Sequence, residues 1–241
     1  MFQTATKTDV GTQRSVNEDA VLTQRFDGGN GNDILLAVAD GMGGHEAGDV
    51  ASETALSALS EAIEESVATG DTPPQGILQD GVETAHELVH DRGSGEDGRM
   101  GTTLVAALIR DRMAHIINVG DSRCYHIEEG SLSQITVDHS LVQEMVEDGM
   151  IEPEEAGTHP QRNVVTQALG TSDAIEPDHY SVELSGTLLL CSDGLTEEVD
   201  EETIRGTITD TEELERAAAQ LVAQANENGG SDNISVVLGR W

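Results

Sequence analysis

The sequence predicts an α+β domain in which antiparallel sheets are covered by helices, and three observations carry that prediction. Apolar runs of strand length recur along the 241 residues, as at Ile34–Ala39, Leu188–Cys191 and Ile234–Leu238. Between them the apolar spacing changes to the period of a helix. The helical stretches fall between groups of strands rather than alternating with single strands, which favours layers over a parallel βαβ winding.

Segment 3–9 alternates polar and apolar character and reads as an edge strand, with 19–26 as its expected partner. Ile34–Ala39 reads as a buried strand ending in the loop Asp40-Gly41-Met42-Gly43-Gly44, where bare backbone is favoured. From Glu46, the residues Ala47, Val50, Ala51, Thr54, Ala55, Ala58, Leu59 and Ala62 recur at helical spacing, with Asp49, Glu53 and Glu61 opposite. Pro73-Pro74 separates this helix from a second over 76–91, and 92–100 reads as a Gly-rich loop. Thr102–Ile109, Met113–Val119 and Cys124–Ile127 read as neighbouring antiparallel strands. Ser140 and Gln143 fit a capping box before a short helix stopped by Gly149. Segment 150–165, polar and interrupted by Pro153 and Pro160, reads as an irregular flap, since structureless loops of this length usually have a role. Leu184, Leu188–Cys191 and Ile234–Leu238 supply further strands, and Leu214, Ala217, Ala218, Leu221, Val222 and Ala225 a last amphipathic helix.

Charge restricts the partners. There are 46 acidic against 12 basic residues, a formal charge of −34, and Lys7 is the only lysine. The acids are spread along a chain with clear apolar periodicity, so this is a folded protein rather than a disordered acidic tail. Self-repulsion on this scale needs screening, which points to a concentrated-salt cytoplasm. It also argues against nucleic acid or an anionic membrane as partner, since both require a basic face. The first residues lack a charged-then-apolar signal pattern and no apolar run is long enough to cross a bilayer, so a soluble, cytoplasmic protein is expected. Cys124 and Cys191 lie in apolar runs without metal-ligand spacing and read as buried thiols.

Chemistry concentrates at strand ends. Asp40 follows one apolar run, Asp193 follows another, Asp232 precedes a third, and Asp121 lies between two strands. Crowded carboxylates repel each other, and a divalent ion that prefers oxygen ligands, Mg2+ or Mn2+, relieves the repulsion. Glycine beside the acid permits close backbone approach and offers its carbonyl. No metal-binding His pair on a helix, Cys cluster or nucleophile-elbow serine is present to support zinc or serine-nucleophile chemistry.

Seven segments in order resemble the motifs of the metal-dependent protein phosphatase 2C family. They are Arg14-Ser15-Val16-Asn17-Glu18-Asp19, Val38-Ala39-Asp40-Gly41-Met42-Gly43-Gly44-His45, Gly101-Thr102-Thr103, Asn118-Val119-Gly120-Asp121-Ser122-Arg123, Asp138-His139-Ser140, Leu189-Leu190-Cys191-Ser192-Asp193-Gly194 and Ser231-Asp232-Asn233-Ile234-Ser235. The resemblance covers nearly the whole chain and is strongest to the compact single-domain prokaryotic branch. It implies one catalytic domain over 1–241, folded as a four-layer αββα sandwich of two antiparallel β-sheets flanked by helix pairs. It implies two Mn2+ or Mg2+ ions: Asp40 bridging both, the Gly41 carbonyl on the second, Asp193 and Asp232 on the first, Glu18 on metal-bound water, and Asp19 behind it. Asp121 with Asp193 resembles a third-metal site. Arg14 would grip phosphate through its planar fork.

The implied reaction is hydrolysis of phosphoserine or phosphothreonine in proteins by a bridging hydroxide, without a covalent intermediate. The substrates implied are phosphoproteins made by a cognate serine/threonine kinase. Met42 stands where some members carry a proton-donating histidine, leaving metal-bound water or His45 as donor. Two other functions fit the residues: a phosphoprotein-binding pseudophosphatase, against which the intact Asp40, Asp193 and Asp232 argue, and a small-metabolite phosphatase.

Overall fold

A computed structural model describes residues 2–28, 31–43, 47–69, 72–93 and 100–241. In chain order its elements are β1 (Gln3–Asp9), β2 (Asp19–Gly28), β3 (Gly31–Gly43), α1 (Ala47–Thr69), α2 (Pro74–Gly93), β4 (Met100–Thr102), β5 (Leu104–Arg110), β6 (Met113–Val119), β7 (Arg123–Glu128), β8 (Ser131–Gln134), α3 (Leu141–Glu147), α4 (Pro153–Ala156), β9 (Asp178–Glu183), β10 (Thr187–Cys191), α5 (Asp193–Thr196), α6 (Glu201–Asp210), α7 (Leu214–Asn228) and β11 (Ile234–Arg240). One sheet runs β1-β11-β10-β7-β8; the other runs β2-β3-β5-β6-β9, with β4 attached to β3. Every pairing is antiparallel.

The alternation of side chains along a strand explains the layering. Ile34, Leu36 and Val38 on β3 point into the space between the sheets and meet Leu188, Leu190 and Val237. Leu35, Ala37 and Ala39 point the other way and pack on α1 and α2 through Ala51, Ala55, Leu59, Leu78 and Val82. On the other sheet, Leu189, Cys191, Val236 and Leu238 meet α6 and α7 through Ile204, Ile208, Leu221 and Val222. Each sheet is therefore apolar on both faces, which is why the strand runs look continuous in the sequence, and the result is the four-layer αββα sandwich. Leu56, Leu59 and Ile63 keep the helical spacing of α1 against the sheet.

Several expectations need correction. β1 pairs with β11 and β2 with β3, so segments 3–9 and 19–26 belong to opposite sheets. β5 and β6 are neighbours, but β7 crosses to the other sheet and pairs with β10 and β8. Periodicity reports which faces are buried, and strands facing one shared core carry the same pattern whichever sheet they join. β8 and α6 gave too weak a signal to be found, being short and largely polar, and β9 alternates (DHYSVE) without an apolar run. Arg92, Gly93 and Met100, assigned to a loop, lie in α2 and β4; the rest of that stretch, 94–99, and the candidate donor His45 lie outside the described residues. The flap contains α4 and is tied back by a Ser140–Val165 bridge. Ser140 caps α3 as expected, accepting from the Gln143 N–H at 3.3 Å, and Gly149 follows the helix at φ +67°. Both cysteines are buried and free, and burial raises both thiol pKa values, that of Cys191 to about 12. No described helix is long and apolar enough to cross a membrane.

Leu36 is fully buried between the sheets. Leu36→Ala should lower unfolding stability by about 2–5 kcal/mol, as large-to-small changes in packed cores do, measured as a shift in urea midpoint with unchanged m-value.

Candidate active site

The strand ends gather the carboxylates. β2 and β3 pair in a register that sets Asp19 opposite Asp40. Asp193 follows β10, Asp232 immediately precedes β11, and Asp121 sits in the crossover from β6 to β7. Since β10 and β11 are neighbours and β3 lies on the facing sheet, these termini share one end of the sandwich. Arg14, Glu18, Asp40, Gly41, Asp121, Asp193 and Asp232 line a single cleft of about 240 Å³. Asp19 lies behind that lining, buried, with Oδ2 accepting from the Ser192 hydroxyl at 2.8 Å.

The supporting contacts are specific. The Asp40 carbonyl accepts from the Thr103 N–H (2.9 Å) and the Thr102 hydroxyl (2.9 Å), while the Asp40 N–H donates to Thr103 Oγ1 (3.1 Å). The Gly41 N–H donates to the Glu18 carbonyl at 3.1 Å. A Cβ added at Gly41 would lie 2.0 Å from the Gly48 carbonyl oxygen, so the start of α1 can press against this turn only because position 41 has no side chain. Asn233 organises the opposite wall. Its Oδ1 accepts from the Glu18 N–H (2.8 Å), and its Nδ2 donates to the carbonyls of Val10 and Val16 (3.0 and 2.9 Å). This amide, overlooked in the sequence beside Asp232, stitches the Arg14–Glu18 loop to the start of β11.

Electrostatics mark the cleft. Burial, and then the neighbouring carboxylates Asp19, Asp193, Asp121 and Asp232, push the Asp40 carboxyl well above the ordinary range. Asp193 is raised in the same way, by burial and then by Asp121, Glu197, Asp232 and Asp19. Burial lifts Asp19 and Asp121 each to about 6. Arg14 is the one basic residue in the described lining; its Nη2 donates to Asp232 Oδ2 at 2.6 Å. The other Asp232 oxygen accepts from the Asn233 N–H at 2.8 Å. Among the described residues no group of three or more His, Cys, Asp or Glu side chains is set as a formed metal cluster. The donor set nevertheless fits a hard divalent cation. Asp19 Oδ1 and Asp193 Oδ1 are buried without hydrogen-bond partners among the described residues, and an all-oxygen set suits Mg2+ or Mn2+. Met42 also lines the cleft, and its described lining contains no histidine.

The family model described as protein phosphatase 2C matches residues 11–238. A curated relative, the serine/threonine phosphatase stp of Listeria welshimeri, is 40% identical over 238 residues, spanning 96% of this chain and 93% of its own. The crystal structure of the Mycobacterium tuberculosis serine/threonine phosphatase PstP/Ppp superposes with a TM-score of 0.86 at 36% identity, covering 99% of this chain and 98% of that one. The catalytic domain of the phosphatase PstP in complex with two manganese ions gives 0.84 at 35% identity, covering 99% and 97%.

A carboxyl whose folded pKa rises from 3.8 to about 6, as for Asp19 and Asp121, holds its proton more tightly folded than unfolded. In the metal-free protein its contribution to stability therefore falls as pH rises from about 4 through about 6, and stays lower above. Asp193, raised by burial and then by Asp121, shifts in the same direction, and Asp193→Asn removes this carboxyl's titration. The metal-free variant should melt higher than the parent at pH 7, a gap that narrows toward pH 4. A lower melting temperature at pH 7 in chelator-treated samples would contradict this account.

Proposed function

The chain belongs to the protein phosphatase 2C family, and from that premise we propose how its residues divide the work. It is a metal-dependent serine/threonine protein phosphatase using Mn2+ or Mg2+, and its substrates are phosphoproteins. In our reading residues 1–241 act as a single catalytic domain. Asp40, the Gly41 carbonyl, Asp193 and Asp232 would hold the two ions, with Asp40 shared between them. Glu18 would orient water around them, Asp19 would support that shell, and Asp121 with Asp193 would hold a third ion. The observation that carries this assignment is the convergence of Asp40, Asp121, Asp193 and Asp232 on one cleft, with Arg14 its only described basic group.

When bound, the ions supply an activated water at neutral pH and neutralise charge on the phosphoryl oxygens. The protein does the rest by placement. The carboxylates are fixed from β3, β10, β11 and the β6–β7 crossover, so little reorganisation accompanies the reaction. Arg14 reaches into the cleft from the loop between β1 and β2, half exposed and held by Asp232. Its fork can grip two phosphoryl oxygens and hold the phosphorus in line. Met42 takes no part in proton transfer, because a thioether carries no exchangeable proton.

The substrates are, in this proposal, products of a cognate serine/threonine kinase. The −34 charge makes nucleic acid and anionic membranes unsuitable partners and fits a cytoplasm of concentrated salt.

Two measurements test these assignments. With phosphoserine and phosphothreonine peptides and saturating Mn2+, Asp232→Asn should lose essentially all turnover while keeping its fold. Arg14→Ala should raise KM, with a fall in kcat if its contact tightens in the transition state. Near-parental kinetics in either variant returns that residue to a surface role.

The salt reading is tested by melting. The Debye length is roughly 30 Å at 0.01 M and about 3 Å at 1 M, so molar salt confines the repulsion to near neighbours. The melting temperature should rise steadily from dilute buffer to molar KCl. A flat or falling series removes the high-salt assignment and leaves the phosphatase chemistry intact.

A further inference from the structure

One motif is not used by the chemistry above: His139, between Asp138 and the helix cap Ser140. Its side chain is only 10% exposed and lies between Gly120, next to Asp121, and Asp178. The Gly120 N–H donates to His139 Nδ1 at 3.2 Å, and the His139 N–H donates to the Gly120 carbonyl at 2.9 Å. The same carbonyl accepts from Asn118 Nδ2 at 3.0 Å. Gly120 holds φ +111°, a conformation that L side chains rarely adopt, and a Cβ there would lie 2.6 Å from the side chain of Thr103. The turn carrying Asp121 is thus clasped from the Asn118 and His139 sides. On its other flank, the His139 carbonyl accepts from the Thr166 N–H at 2.8 Å, where the flap returns to the body.

The tautomer follows from these bonds. A ring nitrogen that accepts from an amide must carry a lone pair, so Nδ1 is unprotonated and the proton sits on Nε2. That nitrogen faces Asp178 Oδ2 at 3.3 Å, and the Tyr180 hydroxyl donates to the same oxygen at 3.0 Å. Asp178 lies on β9, paired directly with Asn118 on β6. The groups on the His139 ring are therefore the Gly120 N–H from the crossover and Asp178 from β9, the latter held in turn by Tyr180. An acid that fixes a histidine whose other nitrogen fixes a backbone amide is an orienting device of the kind found behind metal ligands, one bond further removed.

We propose that His139 is a positioning residue for Asp121: its side chain holds the Gly120–Asp121 turn in the conformation that brings this carboxylate to the cleft. The inference rests on the reading of Asp121 as a ligand of the third ion. His139 touches neither substrate nor ion. Its loss should weaken one metal-binding event while the chemistry at saturating metal survives.

The test is calorimetric titration of Mn2+ into the chelator-treated full chain, with turnover followed across a Mn2+ series. His139→Ala should weaken the weakest Mn2+-binding event by about 10–100-fold, the range seen when groups behind metal ligands are removed. The Mn2+ concentration for half-maximal turnover should rise with it, and kcat should return toward the parent at high Mn2+. His139→Asn, whose Oδ1 can replace Nδ1 as acceptor, should restore most of the affinity, which a purely structural role would not require. Asp178→Asn, at a side chain 47% exposed, should keep the fold and shift binding the same way, so the test survives if His139→Ala does not fold. Asp121→Ala separates the two layers of the argument. If Asp121→Ala loses a Mn2+ site while His139→Ala and Asp178→Asn bind Mn2+ as the parent does, the positioning role is overturned. If Asp121→Ala also binds like the parent, the ligand reading of Asp121 fails and takes this proposal with it.

Discussion

The constraint on which the rest depends is the mutual repulsion of the carboxylates at one end of the sandwich. Asp40, Asp193, Asp121 and Asp19 are all driven upward in pKa first by burial and then by neighbouring carboxylates, Asp40 and Asp193 by others of this same group, and only Arg14 supplies a positive charge in the described cleft lining. An arrangement of this kind is costly in the bare chain and holds only if the backbone around it is over-determined. Two sheets meet that need: β3 brings Asp40 from one, β10 and β11 bring Asp193 and Asp232 from the other, and the apolar layer between the sheets fixes their separation. A divalent cation turns the same repulsion into a binding free energy that stabilises the folded state by mass action.

The polar frame around these acids works backbone to side chain. Thr102 and Thr103 bind the Asp40 main chain, Ser192 connects Asp19 to the Ser235 N–H, and Asn233 joins three stretches of chain. Small hydroxyl and amide side chains suit this task, because they satisfy buried donors without adding charge to a site that has too much. Positions next to the acids in sequence (Ser192, Asn233) therefore look unremarkable as letters but carry the geometry.

The sequence was most legible where period and order both spoke. The buried runs of β3, β10 and β11 and the helical spacing of α1 and α7 could be read directly, and the order of seven motifs supplied the architecture. It was least legible in partnership. Nothing in 3–9 or 19–26 tells which sheet each joins, because register and sheet membership are set by contacts distant in sequence, such as Gln3 with Arg240. β9 was hidden because Tyr180 and Val182 are its only apolar side chains, although it carries Asp178 and Tyr180, the groups behind His139. That the acids of the cleft lie at strand ends could be read because that spacing is local. That Arg14 lies on Asp232, and that Asn233 braces the loop of Glu18, are facts of the closed fold.

The two populations of acid in this chain act in opposite senses. Most of the 46 lie along the chain as solvated groups whose repulsion is long-ranged and therefore answers to salt. The few in the cleft are buried, lie close together, and are screened poorly by mobile ions, so they answer to a bound cation instead. In the proposed reading, monovalent salt and divalent metal would be separable stabilisers of one molecule, the first acting on the surface as a whole and the second at one end of the sandwich. The separation has a structural reason. The helix pairs α1–α2 and α6–α7 cover the outer faces of the sheets through apolar layers, so most of their exposed acids lie over those faces, whereas the cleft lies at one end of the sandwich. A change in surface charge reaches the active site only as a weak, screened field, whereas a change at Asn233 or Thr103 reaches it through a hydrogen bond.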